Sequence, residues 1–265
     1  MKTNLFSQLA MCLIALEERI EETMYFSLAS SAINETAKLK ELSLPSLLLG
    51  KVRKVVTSPL YMEYNNSRRE RVLSHFPKYA NSYSLIKLTA SWEEFILECI
   101  TVMEMAKTDD YSMKNELIIR QDLRNRRTGR KSGTLLLKEL DKLYKLDIVQ
   151  STDFQVIYSI YKLRDCIAHR DGVVSKWDFD KNSNFINTLW KKAMVEQKEQ
   201  SFSAWTLAGE RKFETILKYE KKQWFENQVI VLKDTEICDI GLNFIDVGDT
   251  VFNRLVDYGK VNHIR

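Results

Sequence analysis

The chain has 265 residues, 45% of them hydrophobic and 29% charged, with a net charge of +4. That length supports a full hydrophobic core, and the slight basic excess permits a nucleic-acid partner without requiring one. Eight glycines and three prolines are few for this length and argue against a turn-rich β fold. No apolar run approaches the roughly 20 residues of a membrane span, so no membrane partner is expected.

The first element is an amphipathic helix. Leu5, Leu9, Leu13, Leu16, Ile20 and Met24 recur every three or four residues and form one face. Its apolar stretch is followed by Glu17-Glu18-Arg19-Ile20-Glu21-Glu22 rather than the small residues of a signal-peptide cleavage site. The four cysteines, Cys12, Cys99, Cys166 and Cys238, lack metal-ligand or redox-motif spacing and read as free thiols in a reducing cytoplasm. Residues 34–57 are expected to be helical, interrupted near Pro45. From Thr57 to Tyr83, Pro59, Pro77 and the polar cluster around Asn65-Asn66-Ser67 predict a short helix between loops, and a domain boundary near residue 80.

A strong helix follows. Leu85, Leu88, Trp92, Phe95, Ile96, Cys99 and Met103 fall on one face, with Glu94 and Glu98 pointing away and Glu93 at the flank. An acid at that margin serves a local ion pair or braces a cationic site. Residues 114–125 are expected to be helical. From Arg120 to Lys131 the chain carries six basic residues and one acid. Arg124, Arg126, Arg127, Arg130 and Lys131 belong either to a solvated loop or to a basic arm that grips a phosphate backbone.

Leu135–Leu146 reads as a helix with Leu136, Leu140 and Leu143 on its face, and residues 153–169 as another with Val156, Ile160, Leu163 and Ile167 buried. Residues 183–222 suggest one or two further helices. Gln228-Val229-Ile230-Val231-Leu232 is short and β-branched, a strand pattern. A final helix is expected from Ile237 to Tyr258. The fold class predicted is all-α, with a short strand or hairpin near the C-terminus. Residues 1–80 form an N-terminal helical extension and residues 81–265 the main helical domain.

The chemistry concentrates at Arg164-Asp165-Cys166-Ile167-Ala168-His169-Arg170-Asp171-Gly172. A guanidinium is a permanent cation whose N–H fork fits a phosphate, and an imidazole transfers protons near neutral pH. Asp165 and His169, four apart, share a helix face and are expected to hydrogen-bond, with Asp165 orienting the ring. Arg164 and His169 lie about 140° apart on an ideal helix. The same sequence also suits an ordinary helix end: cations favour the negative pole of the dipole, and Gly172 fits a left-handed cap. His75, His169 and His263 are far apart in sequence, and neither a zinc-binding helix motif nor a phosphate-binding glycine loop is present.

Arg164-Asp165-Cys166-Ile167-Ala168-His169 with Gly172-Val173-Val174 resembles the signature of HEPN (higher eukaryotes and prokaryotes nucleotide-binding) domains, in which Arg and a polar residue precede His by a short fixed spacing. Ala90-Ser91-Trp92-Glu93-Glu94-Phe95 resembles the early helix of that family, and the resemblance spans roughly residues 80–258. It implies a HEPN-like helical bundle that dimerises through the motif helix. It further implies a metal-independent, cofactor-free endoribonuclease of toxin–antitoxin, abortive-infection or antiviral systems, partnered by RNA and by an antitoxin or defence protein. Arg164 and His169 become the catalytic pair, Asp165 the polar position and Glu93 a supporting residue. Arg170 and the basic segment from Arg124 to Lys131 would bind RNA. In such enzymes the ribose 2′-OH attacks the adjacent phosphorus and leaves a 2′,3′-cyclic phosphate. Some relatives only bind nucleotides or partner proteins, so a non-catalytic helical module is the alternative.

Overall fold

Asn4 starts the first helix: its Oδ1 accepts the Phe6 N–H at 3.0 Å and satisfies a donor that a helix start leaves free. The computed structural model describes residues 4–39, 66–126, 133–179, 183–197 and 213–264. Among these residues are six α-helices and one two-stranded antiparallel sheet. No helix among them is long and apolar enough to cross a membrane.

Helix α1 spans Leu5–Leu39. Leu5, Leu9, Leu16 and Ile20 are buried as expected, and Leu13 and Met24 pack at the edge of the same core. The buried stripe continues through small polar residues, Thr23, Ser27 and Ser30. Ser27 donates to Asn81 Oδ1 at 2.7 Å, and Asn81 Nδ2 donates to the Leu232 carbonyl and to Asp234 Oδ1, both at 2.9 Å. This buried amide thereby ties three distant parts of the chain together. The remainder of the expected helical stretch, residues 40–57, lies outside the described residues.

Helix α2 spans Asn66–Thr108, with Pro77 inside it. Residues 66–83, expected as a short helix bounded by loops, are therefore the first turns of a continuous helix that also runs through the expected boundary at residue 80. A proline removes one intrahelical hydrogen bond, but burial of the turns that follow holds the helix together. Leu85, Leu88, Trp92, Phe95, Ile96, Cys99 and Met103 are all at most 1% exposed. Glu98 points off that face to Arg19 at 2.9 Å, and Glu94 to Arg120 at 3.1 Å.

Helix α3 (Met113–Arg126) and helix α4 (Gly133–Tyr144) cover one side of α2. Leu136, Leu137, Leu140 and Tyr144 form the inner face of α4. Leu143, expected inside, is 39% exposed, because Leu137 takes the inward position. Helix α5 (Thr152–Arg170) carries the motif and buries Val156, Ile160, Leu163 and Ile167. Helix α6 (Asp234–Val261) buries Ile240, Phe244, Val247, Val251 and Leu255, with Phe252 and Val256 at the margin. Three glycines let α6 approach α1 closely: a Cβ at Gly241 would sit 2.6 Å from Met24 Sδ, one at Gly248 2.8 Å from Leu16 Cδ2, and one at Gly259 2.6 Å from Leu5 Cδ2.

The described residues of the stretch 183–222, namely 183–197 and 213–222, form strands where helices were expected, and residues 198–212 lie outside the described residues. Strands β1 (Phe185–Gln197) and β2 (Phe213–Phe225) pair antiparallel, Phe185 opposite Phe225 and Gln197 opposite Phe213. Ile186, Thr188 and Trp190 alternate inward at 0–1% exposure, a period of two rather than 3.6. Asn243 of α6 holds β1 in place: its Oδ1 accepts the Lys191 N–H at 2.7 Å, and its Nδ2 donates to the Lys191 carbonyl at 2.6 Å. The Lys191 ammonium pairs with Asp153 at 2.9 Å and with Asp246. The segment 228–232, expected as a strand, makes one isolated bridge, Val229 to Val173.

Tyr144, Tyr161 and Lys191 are among the groups that favour their protonated form in the folded chain. Burial, then the Tyr144 hydrogen bond to Glu104 Oε1 at 2.7 Å, pushes the Tyr144 phenol up. Burial and then the Glu93 charge do the same to Tyr161. Burial opposes the charge on Lys191, but Asp246 and Asp153 outweigh it and raise its pKa. In each case the native state keeps a proton that the unfolded chain releases earlier. Their contribution is complete below the ordinary ionisation range, about pH 10, and is lost as pH climbs through it. Urea midpoints should therefore hold between pH 7 and 9 and fall steeply by pH 11, less steeply in Tyr144→Phe. A midpoint flat to pH 11 would contradict this.

Candidate active site

The outer face of α5 is a stripe at helical spacing. Tyr158, Lys162, Asp165 and His169 recur every three or four residues, opposite the buried Val156, Ile160, Leu163 and Ile167. This stripe floors an open cleft of about 380 Å³. Tyr161 and Arg170 also line it, and Trp177, Asp178 and Phe179 form its wall beyond the end of α5.

The end of α5 explains how that wall is placed. Asp171 at φ 52° and Gly172 at φ 80° both turn left-handed, and the Gly172 N–H donates to the Cys166 carbonyl at 3.2 Å. The expected cap at Gly172 is thus shared with Asp171. A side chain at Gly172 would also press within 3.2 Å of the Ile230 carbonyl oxygen. The chain then pairs with segment 227–230: Val174 N–H to Gln228 O at 2.9 Å, Asn227 N–H to Val174 O at 2.9 Å, and Ile230 N–H to Gly172 O at 2.8 Å. Next comes a 3₁₀ turn, Lys176–Asp178, closed by a Ser175 capping box. Arg170 pairs with Asp178 of this turn, and the Asp178 side chain is only 5% exposed.

His169 is exposed at the mouth of the cleft and has no hydrogen-bond partner among the described residues. Asp165 shares its face, as the spacing requires, but does not bond to it. Asp165 Oδ1 accepts Arg164 Nη1 at 2.8 Å instead. A guanidinium on a long side chain reaches a neighbouring carboxylate easily, and its permanent charge strengthens the hydrogen bond. Arg164 lies about 100° round the helix from Asp165 and is not among the cleft-lining residues. Its Nε is buried without a partner among the described residues. Arg164 and His169 are therefore not brought into one cleft within the chain.

Glu93 stands behind the cleft. Tyr161, 3% exposed, donates to Glu93 Oε1 at 3.2 Å and lies 3.0 Å from the Thr89 carbonyl oxygen. The acid thus joins α2 to α5 through a tyrosine that itself lines the cleft. The sequence reading missed Tyr161, Tyr158, Lys162 and Trp177. The first three stand on the His169 stripe or at its edge. Ser175-Lys176-Trp177-Asp178 carries the Ser-x-x-Asp signature of a capped turn. Arg170, expected to contact RNA, spends its guanidinium on Asp178. Arg124 and Arg126 fall in the final turns of α3, while Arg127, Arg130 and Lys131 lie outside the described residues.

No protein-family model, curated protein or solved structure matches this chain significantly.

Proposed function

We propose that the protein is an endoribonuclease of the HEPN type, working without a metal as a homodimer of motif helices. The observation that carries this is the exposed His169 at the mouth of a cleft that also holds Lys162 and the aromatic side chains of Tyr158 and Trp177. A proton-transfer group beside cations and flat rings suits a strand with its phosphates and bases. The 2′-oxygen would bond to phosphorus, the bond to the 5′-oxygen would break, and a proton would pass from the 2′-OH to the leaving oxygen by way of side chains such as His169. Arg164 is not among the residues that line the cleft of its own chain, and a second copy would set it beside the phosphate to stabilise developing negative charge. One observation favours the alternative of a non-catalytic RNA- or protein-binding module: among the described residues, none hydrogen-bonds to His169.

The test compares an unstructured RNA with its all-deoxy counterpart, each incubated with the full chain in excess EDTA. RNA should be cut to fragments ending in 2′,3′-cyclic phosphate, and the deoxy strand should survive. RNA left intact with and without divalent ions would overturn the proposal in favour of the binding module.

A further inference from the structure

Trp177 is 81% exposed, more than any other large apolar side chain of the described residues. Water contact over an indole forgoes a large burial gain, yet this side chain is not on a loose tip. Ser175 and Asp178 close the turn around it: the Ser175 N–H donates to Asp178 Oδ2 at 2.9 Å and the Trp177 N–H to Ser175 Oγ at 3.4 Å. Asp178 is in turn held by Arg170 at the end of α5. The turn is thus fastened to the motif helix, and it presents the ring at the cleft. Tyr158 lines the same cleft and is 37% exposed. A lysine accompanies each ring: the Lys176 ammonium lies 5.4 Å from the centre of Trp177, and that of Lys162 4.8 Å from the centre of Tyr158.

We infer that Trp177, with Tyr158 in the same cleft, is a stacking platform for an unpaired nucleobase, whose phosphate lies toward Lys162 and His169. This assignment rests on the cleft receiving nucleic acid, and it specifies a single strand. Flat rings beside cations match the two recurring parts of a single-strand site, a stacking face for the base and positive charge for the backbone. A duplex keeps its bases stacked on one another and offers Trp177 none to hold.

The test is a binding cycle on the full chain with a short labelled deoxy strand, which resists 2′-OH cleavage and so reports binding alone. Trp177→Ala should weaken binding about tenfold and Trp177→Phe much less. Replacing the bases by abasic sites should weaken wild-type binding by a similar factor, with no further loss in Trp177→Ala. Equal binding by wild type and Trp177→Ala, equal binding of abasic and normal strands, or no binding by wild type would each overturn the assignment. Unchanged melting temperatures would show that the substitutions leave the fold intact. If binding follows Trp177 while RNA is never cut, the nuclease proposal fails and the platform stands. If RNA is cut but Trp177→Ala binds normally, the reverse holds.

Discussion

Replacing His169 with alanine should lower RNA cleavage by about 10²- to 10⁴-fold, the usual contribution of a positioned proton-transfer group. His169 is exposed and bonds to nothing among the described residues, so its removal should leave thermal stability near wild type. Arg164→Ala should cost about 10²- to 10³-fold, as loss of a charge-stabilising donor does. Asp165→Asn separates two accounts of the site. The carboxylate is held by Arg164 at 2.8 Å, so this variant should track Arg164→Ala. Had Asp165 served to orient the imidazole, it would instead track His169→Ala, with a changed pH–rate profile. Initial rates in EDTA measure all three. Wild-type rates in His169→Ala would remove the residue from the mechanism.

Trp92→Ala should destabilise the fold by about 3–5 kcal/mol, the range for deleting a fully buried large aromatic side chain. Trp92 is 0% exposed and sits between Phe95 and Phe244, with ring centres 5.5 and 5.4 Å away. It belongs to α2 and reaches α6, so its loss opens a cavity between two helices that frame the core. Typical domains hold only about 5–15 kcal/mol in total, and this variant should unfold at much lower urea. Trp92→Phe should cost far less. The Trp92 Nε1 is buried without a hydrogen-bond partner among the described residues, so phenylalanine gives up no hydrogen bond made among them and keeps an aromatic ring in the site. Both variants lack the indole N–H, so their urea midpoints differ by packing alone: a phenylalanine variant as unstable as alanine would show that the retained ring recovers none of the lost burial.

The helices were legible where one apolar face repeats without interruption, as in α1, the second half of α2, α5 and α6. Burial on a single face is what produces a 3.6-residue period. Two features misled. Pro77 and the polar residues around Asn66 look like breaks, yet α2 continues because the following turns are buried on several sides. The hairpin was hidden by its composition. Leu189, Ala193 and Met194 favour helix, and residues 198–212 contain no Asn-Gly, Asp-Gly or proline to mark a turn. The signal that existed was the alternation Ile186, Thr188, Trp190, too short to override the surrounding lysines and glutamates. At the site, periodicity correctly put Asp165 and His169 on one face. It could not say which neighbour would win the carboxylate, because that depends on side-chain reach and charge. Trp177 was beyond it for a different reason: its importance lies in how exposed it is, which spacing does not encode.

The contact between α1 and α6 carries a consequence for how the chain acquires its structure. Leu5 and Leu16 fill the spaces left by Gly259 and Gly248, so the core closes only when two helices at opposite extremes of the described sequence meet. Contacts of such long sequence separation raise the entropic cost of the folding transition state and slow its crossing. Until α6 docks, α2 is the main cover of the leucine stripe of α1 among the described residues. A chain cut short before residue 234 should therefore collapse with that stripe partly bare and associate with itself.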